Sequence, residues 1–429
     1  MTASILFFAF FAILLAGLPI SFTMALSSIL PWMSDPEFAA RPLMVIRHMM
    51  SGVNSMTLLA IPMFMLSGSI MAQGGISKKL FNVFTYFVGN IRGGIPCAVV
   101  ITCMFYGAIS GSSPATVAAV GSMTIPVMLN LGYTLEFSTA VVTVAGGLGC
   151  IIPPSIPFVL YSTSAGTSVG KMFIAGIMPG ILLGCLLMVY SVYYCFNKGE
   201  DRERISVVIK ELRQEGFFSL FKESFWALLT PVIILGSIYG GIATPTEAAV
   251  ISVYYALFVS VVIYKTVKLR EVPQIFMDSL KTIAPILFVL SAAVAFGRVL
   301  ALMHIPQVVG GWITTTFSGK WMILVVVNIF LILVGMVMDA APAILILTPI
   351  LAPVMKTIGV DPIHFGIMLV VNLAVGFVTP PVGINLFVAS SMTKIPVMKL
   401  AKIAMPFTIA FFIGMLLIII FPQISLCLL

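Results

Sequence analysis

Apolar runs long enough to cross a hydrocarbon core recur from one end of this chain to the other. They are Ile5 to Leu30, Leu58 to Met71, Phe137 to Ile152, Ile174 to Phe196, Phe225 to Tyr239, Ala248 to Tyr264, Ile283 to Leu302, Trp321 to Met338, Ile363 to Val378 and Ile403 to Phe421. A helix needs about 20 residues to span a bilayer core, and lipid leaves backbone groups no partner outside the protein, so helices are the expected form. The reading is an all-α polytopic membrane bundle with ten or more crossings. Only 8% of the 429 residues are charged and 60% are hydrophobic, against roughly 25% charged in an ordinary soluble domain, which excludes a water-soluble fold. The first run lacks a basic leader and is interrupted by Gly17-Leu-Pro-Ile20. It is expected to be the first helix, not a signal peptide.

The net charge of +8 is carried in the connections, at Lys78, Lys79, Arg92, Lys198 to Arg213 and Lys265 to Arg270. Such loops face anionic lipid and cytoplasm, so the basic balance implies a bilayer partner and no nucleic acid. Cysteines form no CxxC pair, the three histidines are scattered without HExxH, and no Walker A loop is present. Disulfide, metal and ATP-hydrolysing roles are therefore not expected. An intramembrane enzyme would need a catalytic pair such as GxSxG with a membrane His, or acids on adjacent helices; neither is evident.

One charged stretch, Asn197 to Glu223, splits the chain and reads as an amphipathic interfacial connector. The segments on either side of it repeat. Pro126-Val-Met, Gly132, Gly149, Pro153-Pro154 and Met178-Pro179 return as Pro353-Val-Met, Gly359, Gly376, Pro380-Pro381 and Met405-Pro406, each 227 positions later. Upstream, with small gaps, Pro62 answers Pro285 and Pro114 answers Pro342. Kinks explain isolated prolines; only a duplicated unit explains a shared spacing, as in secondary transporters. Whether the second unit is inverted depends on the parity of crossings, which the runs leave open. Pro96 to Ile109 and Ala340 to Met355 are too short or broken to cross alone and suit re-entrant hairpins.

Two clusters in each half interrupt the apolar sequence: Ser110-Gly-Ser-Ser-Pro-Ala-Thr116 with Gly146 to Ser155, and Gly335 to Pro342 with Gly376 to Asn385. Proline removes a backbone donor and glycine relaxes φ/ψ, so such breaks free carbonyls for a cation while half-helix N-termini face an anion. Pairing each Pro-Pro segment with the hairpin of its own half gives two symmetry-related Na⁺ sites. The first takes Ser110, Ser112, Ser113, Gly149, Ile152 and Pro153; the second takes Gly335, Asp339, Gly376, Thr379 and Pro380. A carboxylate solute is expected between the hairpin tips, near Ser112, Ser155, Thr379 and Asn385. No cofactor is implied beyond Na⁺ as coupling ion. Small residues also serve close helix packing, the role assigned to Thr116. Asp339 is read as a cation ligand or a helix cap, Glu247 as a cap, and Arg298 as an interfacial anchor.

At these segments the chain resembles the large membrane subunit of tripartite ATP-independent periplasmic (TRAP) transporters. The residues are Gly241-Ile-Ala-Thr-Pro-Thr-Glu-Ala-Ala249, Met338-Asp-Ala-Ala-Pro342 with Pro349 and Pro353, Gly359-Val-Asp-Pro-Ile-His-Phe-Gly366, Gly376-Phe-Val-Thr-Pro-Pro-Val-Gly383 and Gly149-Cys-Ile-Ile-Pro-Pro-Ser155. The resemblance implies an elevator-type, Na⁺-driven importer of the ion-transporter-superfamily kind, with two inverted repeats, two re-entrant hairpins and broken helices. Its division would be 1–196 as first repeat, 197–223 as connector and 224–429 as second repeat, each repeat giving scaffold helices and then part of a transport domain. It also implies a small four-helix membrane subunit, a periplasmic binding protein that delivers a small organic acid of C4-dicarboxylate or sialic acid type, and a multi-pass location in the bacterial inner membrane. The chain carries no fused extension, so the small subunit is expected to be separate. A stand-alone Na⁺-coupled carboxylate symporter is the alternative, with an intramembrane enzyme or a passive channel behind it.

Overall fold

The computed structural model describes residues 3–429 apart from 36, 39, 40, 215 and 318. The first half runs α1 (Ala3–Leu15), α2 (Ile20–Ser34), α3 (Pro42–Val53), α4 (Ala60–Gln73), α5 (Ile76–Val88), α6 (Gly94–Ser110), α7 (Ser113–Asn130), α8 (Leu135–Ala145), α9 (Ile156–Ala165) and α10 (Val169–Lys198). The connector helix is α11 (Arg202–Gln214). The second half runs α12 (Phe217–Tyr239), α13 (Pro245–Leu257), α14 (Val272–Leu302), α15 (Ile305–Thr316), α16 (Lys320–Gly335), α17 (Ala340–Thr357), α18 (Pro362–Phe377), α19 (Ile384–Thr393), α20 (Val397–Ile420) and a last short turn, α21 (Gln423–Leu426). The described residues contain no strand.

The repeat seen in sequence returns in three dimensions. Helices α7 and α17 begin and end 227 positions apart, and so do the two cis peptides, Pro153-Pro154 and Pro380-Pro381. The halves are inverted. Tyr161, near the end of α9, donates its hydroxyl to the carbonyl of Pro362 at the start of α18, 2.5 Å away. At the far end Lys399, just past α19, pairs with Glu136 at the start of α8, 3.2 Å away. The α8–α9 and α18–α19 segments therefore run antiparallel through the molecule.

Local chemistry sets the boundaries. Thr134 caps α8, Ser155 caps α9 and Asp361 caps α18, each accepting from backbone N–H groups in the first turn. Thr244 and Glu247 form a reciprocal capping box at the head of α13, as the sequence predicts for Glu247.

Seven helices among the described residues are long and apolar enough to span a membrane by length and composition, fewer than the ten or more crossings expected. The run Trp321 to Met338 is the first arm of a hairpin, α16, and turns back at the Gly335–Asp339 break into α17. The runs Phe137 to Ile152 and Ile363 to Val378 stop part-way, at the Pro-Pro breaks. Hairpins form from α6–α7 and α16–α17; α6 is short as expected, but α17, expected to be too short or broken to cross alone, is itself one of the seven helices of spanning length. Within the connector, helix occupies Arg202–Gln214, residue 215 lies outside the described residues, and 217–223 are already the first turns of α12.

Candidate functional site

Each hairpin tip meets the broken helix of its own half through glycine. A Cβ added at Gly107 of α6 would sit 2.6 Å from the Gly149 Cα, and one added at Gly149 would meet the Thr116 hydroxyl at 2.3 Å and the Ser112 carbonyl at 2.9 Å. In the second half a Cβ at Gly376 would lie 2.4 Å from the Gly335 carbonyl carbon. Only glycine permits these backbone approaches. A backbone hydrogen bond seals each joint: Ile156 N–H donates to Gly111 at 3.2 Å, and Gly383 N–H donates to Met336 at 3.1 Å. The pairing of tip and break within each half, read from the sequence, is thus the geometry found.

The first tip gathers oxygens. The Ser112 carbonyl accepts from the Thr116 hydroxyl at 2.8 Å and from the Ser110 hydroxyl at 3.4 Å, and the two hydroxyls lie 3.0 Å apart. Thr116, read as packing, both packs against Gly149 and joins this polar group; its signal was the i+4 spacing from Ser112. Ser113 turns elsewhere. Its buried hydroxyl pairs with the Asn385 amide of the other half, at 3.0 and 2.8 Å, and Asn385 also donates to the Thr143 carbonyl at 3.1 Å.

The second tip is chemically different. Asp339, the counterpart of Ser112, caps α17 by accepting from Ala340 N–H at 2.8 Å. Thr379 donates to Val375 at 2.7 Å, one turn back. Between α16 and α18 the buried amides of Asn328 and Asn372 bond at 2.6 Å.

The two tips face each other across a cavity of about 60 Å³. Three half-helix starts converge on it: Ser113 and Pro114 of α7, Ile156 and Pro157 of α9, and Ala340 and Ala341 of α17. Asp339 and Ser112 complete its polar lining, and Met65 of α4 with Ile286 of α14 close its far wall. Oriented N–H groups at such starts carry partial positive charge that favours an anion. Neither Ser155, Thr379 nor Asn385 lines this space. Ser155 is buried and donates to Cys150 at 2.5 Å; Ile152 packs its side chain toward Gly180 of α10; Pro153 is buried and Pro380 half-buried beside their breaks.

A larger cavity of about 850 Å³ runs from Ser110, Ser112 and Asp339 past Ser122 to Gln73 and Lys78. It lies between α4, α5 and α14 on one side and α6–α7 on the other. A third, of about 310 Å³, lies between α3 and α14 on one side and α9 and α17 on the other, lined by His48, Arg298 and Leu345, and does not reach the tips. Arg298, expected to be an interfacial anchor, is exposed where it lines this open space.

Residues 7–424 match the family described as the tripartite ATP-independent periplasmic transporter, DctM component. The chain is 40% identical over 412 residues to the isethionate TRAP transporter permease protein DctMQ of Oleidesulfovibrio alaskensis, covering 96% of this chain and 64% of that protein, so it spans less than two thirds of that relative. It is 43% identical over 372 residues to the C4-dicarboxylate TRAP transporter large permease protein DctM of Pseudomonas aeruginosa, covering 87% and 86%. Against the sialic acid TRAP transporter large permease protein SiaM of Vibrio cholerae the identity is 34%, over 98% and 97% of the two chains. The solved structure of the Alcanivorax borkumensis YdaH transporter shares the fold, with a TM-score of 0.61 at 14% identity over 87% of this chain and 86% of that one. A match over nearly the whole length, with several relatives above 30% identity, shows that the chain belongs to the DctM family of TRAP transporter large permease proteins.

Proposed function

We propose that this chain is the membrane carrier of a Na⁺-driven importer that takes a small organic acid, delivered by a periplasmic binding protein, across the bacterial inner membrane by an elevator movement beside a small membrane subunit. The observation that carries this is the meeting of three half-helix starts at the tip cavity, between helices α4 and α14 that do not themselves break there. Such a site is built for an anion that must be held without a buried cationic side chain. The solutes in the relatives' names, C4-dicarboxylates, isethionate and sialic acid, are organic anions.

The cation sites sit behind the tips. In the first, Ser110, the Ser112 carbonyl and Thr116 beside Gly149 offer oxygens, with Ser113, Ile152 and Pro153 shaping the joint. In the second, Asp339 joins the backbone at Gly335, Gly376, Thr379 and Pro380. Na⁺ sheds its water only when about five or six oxygens replace it, and unwound carbonyls provide most of these. Ser155, Thr379 and Asn385 support the solute pocket from behind in this state.

Direction follows from charge. Contacts of Lys79 with Glu223, Arg202 with Glu200 and Lys399 with Glu136 gather at the end of the molecule where the connector lies. Most Lys and Arg side chains belong to segments at this end, which is the cytoplasmic side by the positive-inside rule. The large cavity runs from the tips toward Lys78 on that side, so the state described is open to release. The test is uptake into proteoliposomes holding this chain, the small subunit and the binding protein. Labelled solute should accumulate with an inward Na⁺ gradient and no ATP, and counterflow should be seen. Equal uptake after the gradient is collapsed refutes Na⁺ coupling; uptake without counterflow refutes a carrier in favour of a channel.

A further inference from the structure

If the hairpins move against helices α4 and α14, each must pivot where its arm helix ends. The arm α5 packs on both α12 and α6, and passes into α6 through Gly89-Asn-Ile-Arg-Gly-Gly94. Three of those six residues are glycine, and Gly93 adopts φ +73°. A change of angle between arm and hairpin is absorbed there.

The connector is laid across this junction. On the hairpin side the carboxylate of Glu200, only 2% exposed, accepts from the Gly93 N–H at 3.0 Å and from the Tyr133 hydroxyl, and meets Arg202 at 3.5 Å. Burial, with Glu200 beside it, pushes the Tyr133 phenol well above the ordinary tyrosine range, so it stays the donor. Within the junction itself Arg202 donates to the Asn90 carbonyl at 2.9 Å, and the Asn90 side chain is held by Arg213. On the arm side Ile209 lies against Gly89, whose added Cβ would meet it at 3.0 Å. Arg213 reaches over the Tyr86 ring at 5.7 Å and donates to the Asn90 amide oxygen, turned toward it, at 2.9 and 2.6 Å. Among the described residues no connector helix crosses the matching junction between α15 and α16.

We infer that α11 is a strap that positions the first hairpin's pivot, with Glu200, Arg202 and Arg213 as positioning residues, and that its fastening favours the state open toward the connector. This rests on the elevator reading. Glu200, two residues before α11, holds Gly93 on the hairpin side while Ile209 and Arg213 of α11 hold Gly89 and Tyr86 on the arm side, so turning α5 against α6 must strain or undo one of these sets of contacts. Loss of the strap then shifts the resting balance toward the opposite state and changes maximum rate, while the Na⁺ sites at the tips are untouched.

The test places a spin-label pair on α13 and α20 in liposomes containing the full complex, and measures distance distributions with and without Na⁺. The wild type should show two populations. In R202Q/R213Q the population ratio should move by about 3- to 10-fold away from the connector-open distance, the scale of two partly exposed guanidinium contacts. Maximum uptake should change with the ratio, and half-maximal Na⁺ should move by no more than the same factor; Arg213→Lys should recover part of the shift, and Glu200→Gln should reproduce it from the hairpin side. Two wild-type populations with an unchanged ratio in both variants overturn the strap and leave the elevator standing. A single wild-type distance during normal uptake overturns the elevator and the strap with it.

Discussion

Replacing Gly376 by alanine tests whether tip and break must touch for coupling. The new Cβ would lie 2.4 Å from the Gly335 carbonyl carbon, 2.6 Å from its Cα and 2.7 Å from the Met336 nitrogen, where ordinary contacts begin at 3.4 Å. All three are backbone atoms, so no side chain can swing aside, and the hairpin must separate from α18 by about 1 Å. Overpacking of this kind costs about 1–3 kcal/mol. If the second cation site is assembled from both segments, that cost appears as a 5- to 150-fold loss of apparent Na⁺ affinity, roughly, at 1.4 kcal/mol per decade. Gly147 is the control: its added Cβ makes only ordinary contacts, with the Phe411 ring at 3.4 Å and the Ala374 carbonyl at 3.9 Å. Na⁺-activation curves in proteoliposomes, with melting in detergent alongside, should separate the two variants. Gly376→Ala with a wild-type Na⁺ curve would refute the claim that this joint forms the site.

Three further substitutions follow from the same geometry. Ser113→Ala strips the Asn385 amide of its hydroxyl partner; we expect about 1–3 kcal/mol of lost stability, read by melting, and a rise in half-maximal Na⁺. Thr379→Ala loses only a bond to its own helix, so a shifted Na⁺ curve at unchanged protein level would mark it as a ligand, and wild-type curves in both variants would move the sites onto backbone oxygens. Thr244→Ala removes the cap of α13 and should lower stability by about 1 kcal/mol with uptake per folded molecule unchanged; a loss of transport instead would give Thr244 and Glu247 a role beyond capping.

Much of this architecture was legible because a duplicated unit leaves its spacing in the chain. Gly149 with Gly376, and Pro153-Pro154 with Pro380-Pro381, announced the two breaks before any helix was placed. The number of crossings was not legible. An apolar run such as Trp321 to Met338 reads the same whether it traverses the bilayer or returns as a hairpin arm, since both are wrapped in apolar neighbours. Contacts across the halves were hidden too: Asn385 reaches Ser113 over 272 positions, and no local pattern encodes that pairing.

The repeat duplicates shape and not chemistry, and Asp339 is where this is tested most sharply. Ser110, Ser113 and Thr116 correspond at 227 positions to Val337, Ala340 and Ala343, so the second half has lost the first tip's hydroxyls, while Ser112 has become Asp339. That carboxylate lines the same cavity as three half-helix starts suited to an anion. Unopposed, it would repel the solute it sits beside. A cation at the second site removes that conflict, and solute binding then requires the ion, which is coupling. Asparagine separates this role from capping, since Asn caps a helix about as well as Asp. Asp339→Asn should therefore melt like the wild type. It should lose about 1–4 kcal/mol of Na⁺ attraction, the range for unit charges some 4 Å apart between water and a protein surface, and so need at least about five times more Na⁺ for half-maximal uptake. Asp339→Ala should lose stability as well. If the asparagine variant keeps the wild-type Na⁺ curve, the carboxylate serves only as the cap of α17, and coupling must be sought at the first tip alone.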